Sequence, residues 1–235
     1  MTDRVLIMNA DDFGRSRAVN EGVIRCHEEG IVTSATLMVR WSDAAEAGEY
    51  ARGSETLGTG LHFDLGEWVF RNGAWEPAYE VISEEHRETV VEELDRQLEL
   101  FRELVGREPT HIDSHQHVHR DEPVRGAVLA AAGRLGVPVR EATPGIAYSG
   151  AFYGQDGKGT PVPEAITVEA LVGEIERLPV GVTEMGCHPA TAVDLETTYG
   201  SERVREVETL CDPRVRQAVD RAGVSLRSYR PYARR

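Results

Sequence analysis

The chain has 235 residues, 40% of them hydrophobic, which is enough to bury the core of one α/β domain spanning residues 1–235. A net charge of −14 and a pI near 5.0 exclude a nucleic-acid backbone or an anionic membrane surface as partner, because both would repel it. No apolar run matches a bilayer span and no secretory leader opens the chain, so a cytoplasmic location is expected.

Strand-like and helix-like patterns alternate along the chain. Val5 to Met8 reads as an apolar strand, and Ser16 caps a helix through Val19, Val23 and Ile24 that ends by Gly30. Thr33 to Val39 is a second strand, Ser42 starts an alanine-rich helix to about Arg52, and Leu57 to Leu65 is a third strand. A loop with Trp68, Phe70, Asn72-Gly73 and Trp75 follows. Val90, Leu94, Leu98, Phe101 and Leu104 then carry helical spacing within Ser83 to Val105. Thr110 to Ser114 is a short strand, Val124 to Leu135 a helix closed by Gly136, and Val137 to Arg140 another strand.

Ala142 to Ala165 is a long Gly/Pro-rich loop holding Tyr148, Phe152 and Tyr153. After it come a helix capped by Thr167, a strand around Val182 to Gly186, and a charged helix from Glu202 to Leu210. Asp212, Pro213 and Gly223 delimit the last helix, and Val224 to Arg227 is the final strand. Helices between strands favour a parallel sheet covered on both faces. No dinucleotide or P-loop glycine motif is present. The expected fold is therefore a single distorted or incomplete (β/α) barrel of about seven parallel strands, TIM-barrel-like.

Chemistry collects at the C-terminal ends of these strands, the face where barrel enzymes place their sites. Asp11 and Asp12 follow the first strand, His62 lies on the third, and His188 follows the sixth. His111, His115, His117 and His119 alternate across the end of the fourth, so half of the eight histidines sit within nine residues. Imidazole and carboxylate are the usual ligands of a catalytic divalent metal. Taken singly, Asp11-Asp12 also fits a helix-capping turn, and His62 a partly buried histidine with no ligand role. An extended backbone would project His111, Asp113, His115 and His117 to one face, more groups than one metal can use. Cys187 and His188, as strand neighbours, point to opposite faces; Cys187 is read as core and a cysteine hydrolase is set aside. Cys26, Cys187 and Cys211 are odd in number and form no CxxC pair, as reduced thiols would be.

Asn9-Ala10-Asp11-Asp12-Phe13-Gly14, Gly60-Leu61-His62, Thr110 to His119 and Cys187-His188-Pro189 together resemble the signature segments of the YdjC-like carbohydrate deacetylases. Gly30 to Ser34, Ala151 to Gly154 and Ser228 to Arg230 extend the resemblance along the chain in order. The resemblance implies a distorted (β/α) barrel holding a divalent metal on Asp12, His62 and His115. It assigns magnesium, although two imidazoles and one carboxylate suit zinc as well. It also implies Asp11 as general base, His188 as general acid, and an N-acetylated sugar as substrate. His117 and His119 become substrate-facing candidates; Phe152 and Tyr153, with Tyr148 and Trp68, either stack on sugar rings or pack locally. Relatives are often dimeric, so a homodimer is within the expectation. Gln116 departs from the pattern, standing where the chitooligosaccharide branch tends to carry another histidine. The rival readings are a phosphoesterase or non-sugar amidohydrolase on the same scaffold, and a sugar-binding relative without activity.

Overall fold

A computed structural model describes residues 3–71, 73–82, 87–195 and 197–233. Its central sheet has seven parallel strands: β1 (Arg4–Phe13), β2 (Ser34–Leu37), β3 (Gly58–Phe63), β6 (Ile112–Ser114), β7 (Ile146–Ser149), β8 (Gly181–Cys187) and β9 (Val224–Leu226). They run in the order β6-β3-β2-β1-β8-β7. β8 pairs with β1 from Arg4 to Ala10, so β9, which pairs with Arg4 to Leu6, takes the other edge below β2. The sheet curls into a partial barrel flanked by helices, as the alternating pattern requires.

Helices α1 (Arg17–Glu28), α2 (Ala44–Gly53), α3 (Arg87–Val105), α4 (Val124–Leu135), α5 (Val168–Arg177), α6 (Ser201–Leu210) and α7 (Pro213–Arg221) cover the strands. Their ends follow the expected chemistry. Ser16 Oγ accepts from Val19 N–H, Thr167 Oγ1 from Ala170 N–H, and Asp212 Oδ1 from Arg214 N–H. Gly136 closes α4 at φ 70°, where a side chain would be strained. β1 is buried from Leu6 to Phe13, and the core continues through Val19, Val23, Leu61, Phe101 and Ile175. Among the described residues no helix is long and apolar enough to cross a membrane.

Three stretches differ from the sequence reading. The loop expected around Trp68 to Trp75 is an antiparallel hairpin, β4 (Gly66–Arg71) and β5 (Ala74–Glu80), standing apart from the barrel. Its alternating Trp68, Phe70 and Trp75 are strand residues, with Gly73 at φ 85° in the turn; Asn72 lies outside the described residues. Val137 to Arg140 is reduced to one bridge, Val139 to Ile112, because Pro138 removes a donor from the ladder. The strand role passes to β7, inside what read as a long Gly/Pro loop, where Ile146 to Ser149 pair with Val182 to Met185. The first residues of the helix expected from Ser83, up to His86, lie outside the described residues.

Helix α1 lies hard against the strand of chain that follows β8. A Cβ built on Gly22 would come within 2.6 Å of Ala190 Cα and 2.8 Å of the Pro189 carbonyl carbon. Gly22→Ala is therefore expected to lose stability, since overpacking of about 1–3 kcal/mol exceeds a helix-propensity gain of about 1 kcal/mol. Urea unfolding checks this as a lowered midpoint at unchanged slope.

Candidate metal centre and active site

The site grows from an irregularity in β1. Asp12 has φ 65°, and the β1–β2 register shifts between Ala10 and Phe13. Consecutive strand residues normally face opposite ways. The left-handed turn at Asp12 lets both carboxylates enter the barrel: Asp11 approaches His188, with Oδ2 3.7 Å from Nε2, and Asp12 approaches His62 and His115. A non-glycine residue held there carries strain that the surrounding contacts must offset.

The histidine motif also leaves the extended path. β6 ends at Ser114, and a short 3₁₀ segment from His115 to Arg120 contains Gln116 at φ 49° and His117 at φ 57°. The side chains therefore diverge rather than share one face. His111 is buried, stacks on Tyr229 at 3.9 Å and contacts Asn9 Oδ1, and burial pushes its pKa down to about 3. Asp113 turns to His62, and His115 turns to Asp12. His117 lies 3.4 Å from Tyr148 Oη, while His119 Nδ1 meets Ser114 Oγ at 2.6 Å.

Asp12, His62 and His115 come together as a buried group that could hold a metal ion. Asp12 Oδ1 has no hydrogen-bond partner, yet His115 Nδ1 lies 3.1 Å away and His62 Nε2 3.5 Å away. Such separations match ligand atoms that share a cation at bond lengths of about 2.1 Å. The other His62 nitrogen, Nδ1, is 2.7 Å from Asp113 Oδ1, the outer carboxylate that commonly orients a ligand histidine. Burial disfavours a charge on His115, but Asp12 and Glu67 outweigh it and raise its pKa to about 9. Asp11, His62 and Asp113 form a second buried group of this kind, but Arg140 bonds both carboxylates.

Arginines set the charge of this site, and the sequence reading assigned them no part in it. Arg140 is fully buried; its Nη1 and Nη2 each bond one Asp11 oxygen at 2.7 Å. It also reaches Asp113 at 2.9 Å and Glu184 at 2.8 Å. Arg203, from α6, pairs with Asp12 Oδ2, and Arg15 pairs with Glu67 of the hairpin. Burial opposes ionisation of Asp11, yet Arg140 holds its carboxyl well below the usual carboxylate range. Burial likewise pushes His188 down to about 4 despite Asp11 and Asp12 nearby, so it is neutral near pH 7. Its main-chain N–H is held by Glu206, and its ring packs against the stacked pair Tyr153 and Tyr199, 5.4 Å from each.

These groups floor a cavity of about 480 Å³ at the C-terminal ends of the strands. One wall is the β4–β5 hairpin; the opposite wall carries Tyr148, Phe152, Tyr153 and the turn at residues 155–159. His117 lines the cavity, whereas His119 is buried behind it. Phe152 is only 1% exposed and packs mainly in the core, while Tyr153, 36% exposed, stacks on Tyr199 at 4.7 Å. A larger open groove of about 970 Å³ lies at the other end of the strands, away from this cluster. Arg140, Arg203 and Glu67 left one faint signal in the sequence: Arg140 ends an otherwise apolar Val137-Pro138-Val139 run.

Arg140→Leu is expected to cost about 3–5 kcal/mol, because it strands buried carboxylates without their cation. Arg140→Lys keeps the charge but not the fork, and denaturant unfolding should rank it between Leu and wild type. Glu206 gives a pH test. Burial raises its pKa from the ordinary 4.5 to about 8, so the stabilisation is complete below pH 4.5 and is lost as pH rises through 8. Glu206→Gln should flatten that decline, read as unfolding midpoints taken from pH 4.5 to 8.

The family described as YdjC-like protein matches residues 5–221. A carbohydrate deacetylase of Geobacillus stearothermophilus is 36% identical, covering 97% of this chain and 98% of the relative. A chitooligosaccharide deacetylase of Serratia marcescens is 34% identical with the same coverage. Among solved structures, an Enterococcus faecalis protein provisionally described as a cellobiose-phosphate cleavage protein is 28% identical with a TM-score of 0.77, covering 99% of this chain and 100% of that one. A family 4 carbohydrate esterase from Streptomyces lividans shares the fold alone, at 12% identity, a TM-score of 0.57, and coverage of 96% and 93%. The chain belongs to the YdjC-like family.

Proposed function

We infer that the protein is a metal-dependent hydrolase that removes the acetyl group from an N-acetylated sugar or oligosaccharide of the chitooligosaccharide type. The observation that carries this reading is Asp12 Oδ1, buried without a hydrogen-bond partner, beside His62, His115 and the Asp11–His188 pair. The names of the relatives, carbohydrate and chitooligosaccharide deacetylases, support the substrate class.

Asp12, His62 and His115 would hold the divalent ion, which supplies Lewis acidity toward the acetyl carbonyl and the attacking water. One carboxylate oxygen and two imidazoles suit a borderline ion such as zinc, whereas the family resemblance assigns magnesium. Asp11 is ionised, and both its oxygens are fixed by Arg140, which orients the carboxylate at some loss of basicity. With its pKa lowered to about 4, His188 is a neutral imidazole at rest, with one ring N–H, so the Asp11–His188 pair has a free site for one more proton. It can take the water's proton as the carbonyl is attacked and return it to the amine nitrogen as the C–N bond breaks. The separation of 3.7 Å between Asp11 Oδ2 and His188 Nε2 makes that relay local. Tyr153 and Tyr199 pack against the imidazole, and Glu206 fixes the main chain that carries it. His117 and Tyr148, lining the cavity beside the relay, are positioned to meet the sugar.

The test is acetate release from diacetylchitobiose and a panel of N-acetylated sugars, using metal-stripped protein re-supplied with Mg²⁺ or Zn²⁺. Activity should disappear on stripping and return with one ion. Asp11→Asn should lose on the order of 10²–10⁴ in kcat with metal still bound. His115→Ala should lose metal binding itself. Metal-independent acetate release, or phosphate release from simple phosphoesters without acetate release, would overturn the reading.

A further inference from the structure

Gln116, the residue that departs from the family pattern, is bonded to a main chain rather than to the metal cluster. Its Oε1 accepts from Trp68 N–H at 2.8 Å, and its Nε2 donates to Trp68 C=O at 2.8 Å. A carboxamide carries donor and acceptor side by side, so it can stand in for one residue of a neighbouring strand. An imidazole cannot, because its two nitrogens point apart. The attachment falls at the hairpin's irregularity, where the β4–β5 register shifts between Glu67 and Trp68. The extra residue is Ala78 of β5, opposite β4, and along β4 adjacent side chains face opposite ways. Here Glu67 turns inward to Arg15, and its Oε2 lies 3.8 Å from His115 Nε2; the Trp68 main chain turns outward to Gln116.

The hairpin so fixed presents aromatic surface along the cavity, beyond the metal cluster. Trp75 is 55% exposed and meets Phe70 edge-on at 5.5 Å. Lys158, the only lysine, holds its ammonium 5.6 Å from the Phe70 ring centroid and ties the opposing turn to the hairpin. That turn is itself ordered: Asp156 Oδ1 accepts from Lys158 N–H and Thr160 N–H at 2.8 and 2.9 Å. Trp75, Phe70 and Lys158 line the same cavity as Asp12 and His115.

We propose that Phe70, Trp75 and Lys158 form an outer subsite for a second pyranose ring of an oligosaccharide, and that Gln116 is the positioning residue that holds this wall in place. The proposal rests on the deacetylase reading and specifies which part of the protein measures chain length. A sugar presents an apolar C–H face that packs on an aromatic ring, and binding energy gathered there is available to the reaction at the acetamide.

The test compares kcat/KM for diacetylchitobiose and N-acetylglucosamine in wild type, Trp75→Ala, Gln116→Met and the double variant, each first checked for an unchanged fold by circular dichroism. Trp75→Ala should lower the disaccharide-to-monosaccharide ratio about tenfold, the loss of one good aromatic contact. Gln116→Met, which keeps the length of the side chain and removes both bonds, should lower the ratio by a similar factor. The double variant should be no worse than Trp75→Ala alone, because both act through one wall. A ratio unchanged in Trp75→Ala, or a Gln116→Met variant that slows both sugars equally, would overturn the proposal. If wild type releases no acetate from either sugar, the deacetylase reading fails separately. Calorimetric titration with the same two sugars then decides the subsite: tighter disaccharide binding that is lost in Trp75→Ala supports it, and equal binding overturns it.

Discussion

Arg140 has no exposed surface and bonds carboxylates from three different strands: Asp11 of β1, Asp113 of β6 and Glu184 of β8. Without it, three acids would face one another in a medium where burying each charge costs several kcal/mol. The balance is incomplete even so, since burial still raises Glu184 to about 7 while Tyr229 donates to its other oxygen. Arg140 also stands where the barrel is interrupted, at the end of the segment that bridges to Ile112 and before β7. Its guanidinium thus ties strands together at a point where the backbone ladder is reduced to one bridge.

The same constraint explains which parts of the site can be read from sequence. His115 and His188 follow strand ends, and Asp11, Asp12 and His62 sit in the last residues of theirs, where they break apolar runs. Arg140, Arg203 and Glu67 reach the centre from a bridge segment, a helix and a hairpin. In sequence they resemble ordinary surface charges, because their partners lie far along the chain. Arg203 and Asp12, for instance, are separated by 191 residues. Long-range pairing of this kind leaves no periodic trace.

The fold shows the same division. Caps at Ser16, Thr167 and Asp212 and the stop at Gly136 are local chemistry and were legible as such. The exchange of Val137–Arg140 for Ile146–Ser149 as a sheet strand was not. Both segments are short, and the choice depends on which of them can donate to a neighbouring strand. The alternating histidines misled for a related reason. Alternation predicts a shared face only while the backbone stays extended, and two left-handed residues, Gln116 and His117, end that after Ser114. The departure is useful chemically, because it separates His115 from His117 and frees Gln116 to reach Trp68.

Arg203 takes Asp12 Oδ2, so only Oδ1 is left to meet a cation. Asp12 and Glu67 raise the His115 pKa to about 9, and its Nδ1 lies 3.1 Å from that oxygen. A proton and a divalent ion would compete for that position. Glu67 lies 3.8 Å from the far nitrogen of that ring and favours its charged form. The hairpin thus reaches the cluster through Glu67 and the cavity wall through Phe70 and Trp75. An element outside the barrel thereby joins the buried cluster around His115 to the aromatic wall of the cavity.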